Sequence, residues 1–115
     1  MQMHGMEIQS AARFDLPVIF IVLNNAALGN VWLRAHKEGP VPARLTEIPD
    51  HDWAGFARAL GVDALTVHEP HRIAPAIEQA LNSRKAFLID VKTERNAPTP
   101  IEPYRQAAQT WSYQE

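Results

Sequence analysis

Leu16-Pro17-Val18-Ile19-Phe20-Ile21-Val22-Leu23-Asn24-Asn25 is the stretch whose reading decides the fold. A proline opens it, apolar and largely β-branched residues follow without alternation, and two carboxamides stand where the run stops. Such a run predicts a strand buried on both faces of a parallel sheet. In open parallel α/β sheets, ligands sit just outside the carboxyl ends of the strands. Asn24 and Asn25 therefore fall where a fold of this kind does its chemistry.

Upstream, Gly5 to about Phe14 reads as a helix. Met6, Ile8, Ala11 and Ala12 give it an apolar side, with Glu7 early and Arg13 late, as the helix dipole favours. Asp15-Leu16-Pro17 ends it, because the residue before a proline avoids the α region. A helix leading through a tight connection into a buried strand is the second half of a βαβ unit, whose first strand is expected upstream of Met1.

Downstream, Ala26 to Arg34 begins with small residues and carries Gly29, where backbone can approach a ligand. A short helix is expected over Asn30 to His36. Lys37 to Pro49, with Gly39, Pro40, Pro42 and Pro49, reads as a long surface loop. Asp52 is placed as an N-cap, and Trp53, Phe56, Ala57 and Leu60 share one helical face before Gly61 closes the helix. Ala64 to Val67 predicts a short strand. Pro70 opens a further helix whose Ile73, Ile77, Ala80 and Leu81 share a face, and Pro75 requires its regular part to start late or bend. Ala86 to Val91 predicts another buried strand. Pro98, Pro100 and Pro103 keep the end of the chain extended. The alternation makes an α/β fold with a mostly parallel sheet and flanking helices. Residues 1–97 form its domain and residues 98–115 an extended tail.

Size and composition narrow the function. The 115 residues suffice for one core. A net charge of −2 gives no electrostatic reason to bind nucleic acid or an anionic membrane. The absence of cysteine removes disulfides, thiolate metal sites and a cysteine nucleophile, and fits a cytoplasmic location. No segment has the length of a membrane span, and the N-terminus lacks the pattern of a signal peptide.

Taken in order, Gly5-Met6-Glu7-Ile8-Gln9-Ser10-Ala11, Leu16-Pro17-Val18, Leu23-Asn24-Asn25 and Gly29 resemble the diphosphate-binding domain of thiamine-diphosphate-dependent enzymes. Asp52 to Gly61 and Phe87 to Val91 look like its continuation, nearest to the acetolactate synthase and benzoylformate decarboxylase branch. The resemblance implies thiamine diphosphate and Mg²⁺ as cofactors. It assigns the side chain of Asn25 and the carbonyl of Ala27 as metal ligands. Leu28, Gly29 and Asn30 join them in lining the cofactor, while Asn24 holds the turn. The family's Gly-Asp-Gly motif, which supplies a metal carboxylate, is nowhere in this sequence; Met1 matches a position just after it. The activating glutamate belongs to a separate pyrimidine-binding domain, and Glu7 is not that residue. The resemblance therefore implies an incomplete thiamine-diphosphate-binding fold that is inactive alone, without a catalytic residue of its own.

The remaining residues take blander readings. His68 and His71 lack the spacing of a zinc helix and read as a solvated helix start. Asp50-His51-Asp52 reads as capping rather than a metal cluster. His4 reads as a solvent-exposed residue near the chain start. Trp32, Trp53 and Trp111 read as packing residues, with Trp32 set apart because it follows the cofactor loop. An alternative to the cofactor-binding reading is an interaction module, since a βαβ unit without its first strand leaves an open sheet edge. Such a module forms a homo-oligomer or pairs with a separate pyrimidine-binding chain. A flavodoxin-like nucleotide binder is disfavoured, because no glycine-rich turn follows any of the strands.

Overall fold

A computed structural model describes residues 4–38 and 42–97. Its elements are α1 (Glu7–Arg13), β1 (Ile19–Asn24), α2 (Asn30–Glu38), α3 (Trp53–Ala59), β2 (Asp63–Val67), α4 (Ile73–Ser83) and β3 (Phe87–Lys92). The three strands form one parallel sheet in the order β1-β3-β2. Ile21 and Leu65 flank Ile89 across it, and Asn24 lies level with Lys92. This is the α/β fold with a parallel sheet that the helix–strand alternation predicts. The tail at 98–115 lies outside the described residues.

Two clusters fasten the helices to the sheet. On one face, Ile8 and Ala11 of α1 and Ala57 of α3 meet Leu88, with Phe20, Val22 and Phe56 packed around them. On the other, Ala76 and Ala80 of α4 cover Phe87, Ile89, Val91 and Val67. Alternate residues of β3 feed the two clusters, as the period of a strand requires. Its first five residues are all buried, so β3 is the centre of the molecule.

The strand order corrects the reading of β1 as a strand buried on both faces. Only β3 pairs with β1 among the described strands, and Ile21 and Leu23 are 52% and 71% exposed. The reason is positional: α4 covers the β2–β3 side of its face, and its cluster reaches β1 only at Ile19. Of the residues sharing one face of α4, Ala80 is buried while Leu81 at its end is exposed. In α3 the fully buried residues are Ala54 and Ala57, with Trp53 and Phe56 half-buried above them.

Helix ends follow their chemistry. The Asp52 carboxylate accepts from Gly55 N at 2.7 Å, the capping bond expected of it. At the other end of α3, Gly61 N reaches Arg58 O and Val62 N reaches Ala57 O, both at 3.0 Å, a Schellman closure that needs the left-handed φ of +82° at Gly61. Pro70 opens a single 3-10 turn, Pro70–Arg72, and the regular helix begins at Ile73. Pro75 thus falls in the first turn, where a missing N–H costs no intrahelical bond. Asp52→Ala is expected to lower stability by about 0.5–2 kcal/mol in urea denaturation, the usual loss for an N-cap.

Candidate functional site

β1 ends at Asn24, whose buried carboxamide is fully employed. Its Nδ2 donates to Asp50 Oδ1 at 3.1 Å and to His51 O at 3.2 Å, while its Oδ1 accepts from Ala26 N at 3.2 Å. Asn25 Oδ1 accepts from Ala27 N at 3.2 Å, a local side-chain turn of the kind asparagine favours. Between them Ala26 adopts φ 51°, a left-handed conformation uncommon for a residue with a Cβ. Gly29 is left-handed too, with φ +46° and open space where a Cβ would stand, so its freedom serves the backbone turn.

A second segment braces this turn. Ile48 N donates to Ala26 O at 3.0 Å and Leu28 N to Thr46 O at 2.8 Å, forming an antiparallel bridge between Ala27 and Glu47. Part of the long loop is therefore structured against the strand tip. Beyond β3, Arg95 pairs with Glu47 at 3.0 Å, makes a long 3.5 Å bond to Asn25 O, and lies over the Trp32 ring, which stacks on His36.

Lys92 stands at the same end of the sheet, level with Asn24 on the neighbouring strand. Its Nζ bonds to Asp50 Oδ1 at 2.5 Å and to His51 O at 3.1 Å, and lies 3.2 Å from Asp90 Oδ2. Asp90 is fully buried, with neither carboxylate oxygen in hydrogen-bond geometry to any described group. Burial pushes the Lys92 ammonium down, but its hydrogen bond to Asp50 and the carboxylate of Asp90 beside it outweigh that and leave its pKa raised. The Lys92 hydrogen bond, partly offset by desolvation, holds the Asp50 carboxyl below its usual value, with help from the charge of Lys92 and the amide of Asn24.

Two hollows open at this end of the sheet. One, of about 350 Å³, is lined by Leu23, Asn25, Ala26, Ala27, Ile48, Trp53 and His4, among others. The second, of about 520 Å³, shares Asn24 to Ala26 and adds Trp32, Asp50, His68, Lys92 and Arg95. Of the residues the resemblance assigns, Asn25 and Ala27 come together at the first hollow. Leu28, Gly29 and Asn30 lead away into α2 and line neither. His4 is exposed, as expected, yet stands at the rim of the first hollow. Sequence reading passed over Ile48, Lys92 and Arg95, which carried no motif, and took Asp50 only as part of a capping stretch.

The first hollow has the size of a small-molecule site, at the low end of the range. Its oxygens are a different matter. Asn25 Oδ1, already bonded to Ala27 N, and the Ala27 carbonyl are both neutral, and a hard divalent cation seeks six oxygens with carboxylates among them. Among the described residues no three His, Asp or Glu side chains gather as a metal site. The groups present do not make a magnesium site by themselves.

Residues 1–91 match the family model described as "Thiamine pyrophosphate enzyme, C-terminal TPP binding domain". The chain is 32% identical over 90 residues to benzoylformate decarboxylase of Pseudomonas aeruginosa, covering 77% of this chain and 17% of that protein. It is 30% identical over 98 residues to the acetolactate synthase large subunit of Pyropia yezoensis, covering 83% and 16%. Among solved structures it is similar to the thiamine diphosphate-dependent 4-hydroxybenzoylformate decarboxylase of Rhodococcus jostii RHA1. That match has a TM-score of 0.68 and 27% identity, over 78% of this chain and 17% of that one. The chain spans about one sixth of the length of these relatives.

Proposed function

The chain belongs to the family of C-terminal thiamine pyrophosphate-binding domains of thiamine pyrophosphate enzymes, and from that premise we propose that it is the diphosphate-binding part of a magnesium-dependent 2-keto acid decarboxylase or carboligase, without turnover of its own. The observation that carries the reading is the hollow at the strand tips, with Asn25 and Ala27 on its wall and the Asn24–Asn25 turn held from several sides. The decarboxylases and the synthase among its relatives support the substrate class. Bound cofactor supplies the electron sink for such chemistry, and the protein supplies position. The chain's own part is to offer the Asn25 carboxamide and the Ala27 carbonyl. The metal's carboxylate and the activating glutamate have to come from elsewhere, which is why no turnover is expected.

Calorimetry with thiamine diphosphate and Mg²⁺ tests the proposal. The expected result is no micromolar binding, with millimolar ligand shifting the amide resonances of Asn25 to Leu28 in NMR spectra. Micromolar binding would contradict the incomplete site, and unmoved resonances would contradict the cofactor reading.

The exposed, uncharged edge of β1 favours a second role as an interaction module. Its occupant is a second copy of this chain. Antiparallel pairing of two β1 strands about Ile21 sets Ile19 against Leu23 and Phe20 against Val22, both apolar pairs. Edge strands that avoid pairing usually carry a charge, a proline or a bulge, and Ile19–Asn24 carries none of these.

A further inference from the structure

We infer that Lys92 is the positioning residue of the Asn25 turn: through Asp50 and His51 O it fixes Asn24, and Asn24 holds Ala26 in its left-handed conformation. That this turn faces a cofactor rests on the proposed function; the brace itself does not.

The demand comes from Ala26. A residue with a Cβ does not remain at positive φ unless its surroundings over-determine it. Two hydrogen bonds do so here, from Ala26 N to Asn24 Oδ1 and from Ile48 N to Ala26 O. The first is only as firm as the Asn24 side chain. That side chain is anchored on two acceptors, Asp50 Oδ1 and His51 O, which belong to an exposed stretch of loop just before α3. A loop of this kind needs its own tether.

Lys92 is that tether. It is the register partner of Asn24 on the neighbouring strand, and its ammonium takes the same two acceptors. The central strand therefore grips the loop at the two atoms on which the Asn24 carboxamide depends. Asp90 lies two residues back on the same face of β3, fully buried, and its carboxylate faces the Lys92 ammonium. An apolar residue at 90 would extend the cluster around Leu88 more cheaply than a buried carboxylate does. The carboxylate instead anchors the ammonium from below and leaves its other donors for Asp50 and His51. Position 90 gives up packing for a fixed cation at the strand tip, and the fixed cation sets the turn.

The test is amide hydrogen exchange read by NMR on the cofactor-free chain, with the wild type beside Lys92→Met, Lys92→Arg and Asp50→Ala. Exchange at Ala26, Ala27 and Leu28 is expected to rise about tenfold or more in Lys92→Met and Asp50→Ala, while Leu88 and Ile89 keep their protection. The Asn24 carboxamide protons are expected to move toward the shifts of a free side chain in both. Lys92→Arg, whose fork reaches both acceptors, is expected to retain the wild-type pattern. Asp50→Ala decides the matter if Lys92→Met fails to fold, because the Asp50 side chain is exposed and outside both apolar clusters. Exchange at Ala26 to Leu28 within about twofold of wild type in Asp50→Ala would overturn the inference. So would an equal rise at Leu88 and Ile89, which would mark a general loss of stability. None of these readouts needs thiamine diphosphate, so a failed cofactor titration leaves the brace standing.

Discussion

Lysine at both Ile21 and Leu23 is expected to hold the chain monomeric at concentrations where the wild type self-associates. Both side chains lie on one face of an edge strand and expose more than half their surface. Fully burying an aliphatic side chain of this size contributes about 1.5–3 kcal/mol. Four such side chains, two from each copy and already part-buried, give roughly 4–8 kcal/mol, and the ladder of main-chain bonds adds a little more. Association itself costs about 4–15 kcal/mol. The balance predicts weak self-association, seen as a mass that climbs with concentration in light scattering. Two ammonium groups on the face, repeated on the partner, remove the apolar gain and add repulsion across the two-fold. A wild-type chain that stays monomeric up to about 1 mM, the weak end of the affinity scale, would exclude the second copy as occupant.

How far the sequence foretold this molecule depends on what kind of information each feature needs. Helix α3 was legible because its period, its cap at Asp52 and its closing Gly61 all lie within ten residues of one another. The asparagine turn was legible for the same reason: Asn24 and Asn25 make their nearest bonds two residues away. Strand centrality was not. The apolar runs around Ile21 and Ile89 look alike, and Asp90 even makes the second seem the poorer candidate for burial. Which one lies inside is settled by strand order, and no local pattern encodes that. The brace was hidden more deeply still. Asn24, Asp50 and Lys92 are separated by 26 and 42 residues, and nothing in the sequence ties the asparagine pair to the other two. Ala26 gave no warning of positive φ, since the usual markers are glycine and asparagine. Only the surrounding hydrogen bonds explain it.

The second large effect falls on the central strand. Leu88→Ala is expected to cost about 2–5 kcal/mol, a substantial share of the 5–15 kcal/mol that holds a typical domain together. Leu88 is fully buried, lies level with Phe20 and Ala64 on its two neighbours, and packs in the cluster with Ile8, Ala11 and Ala57. Its removal opens a cavity beneath two helices that the alanines on their inner faces are too small to fill. In urea, the midpoint should fall with little change in slope, since the surface exposed on unfolding is nearly the same. Leu23→Ala makes the informative comparison. It deletes the same atoms from the edge of the same sheet, where most of the side chain already meets water, and should stay within about 0.5 kcal/mol of wild type. The two substitutions are chemically identical, so their difference reads strand position alone. An equal loss at the two sites, or a larger one at Leu23, would place β1 at the centre of the sheet and undo the strand order on which the exposed edge and the Lys92 brace both depend.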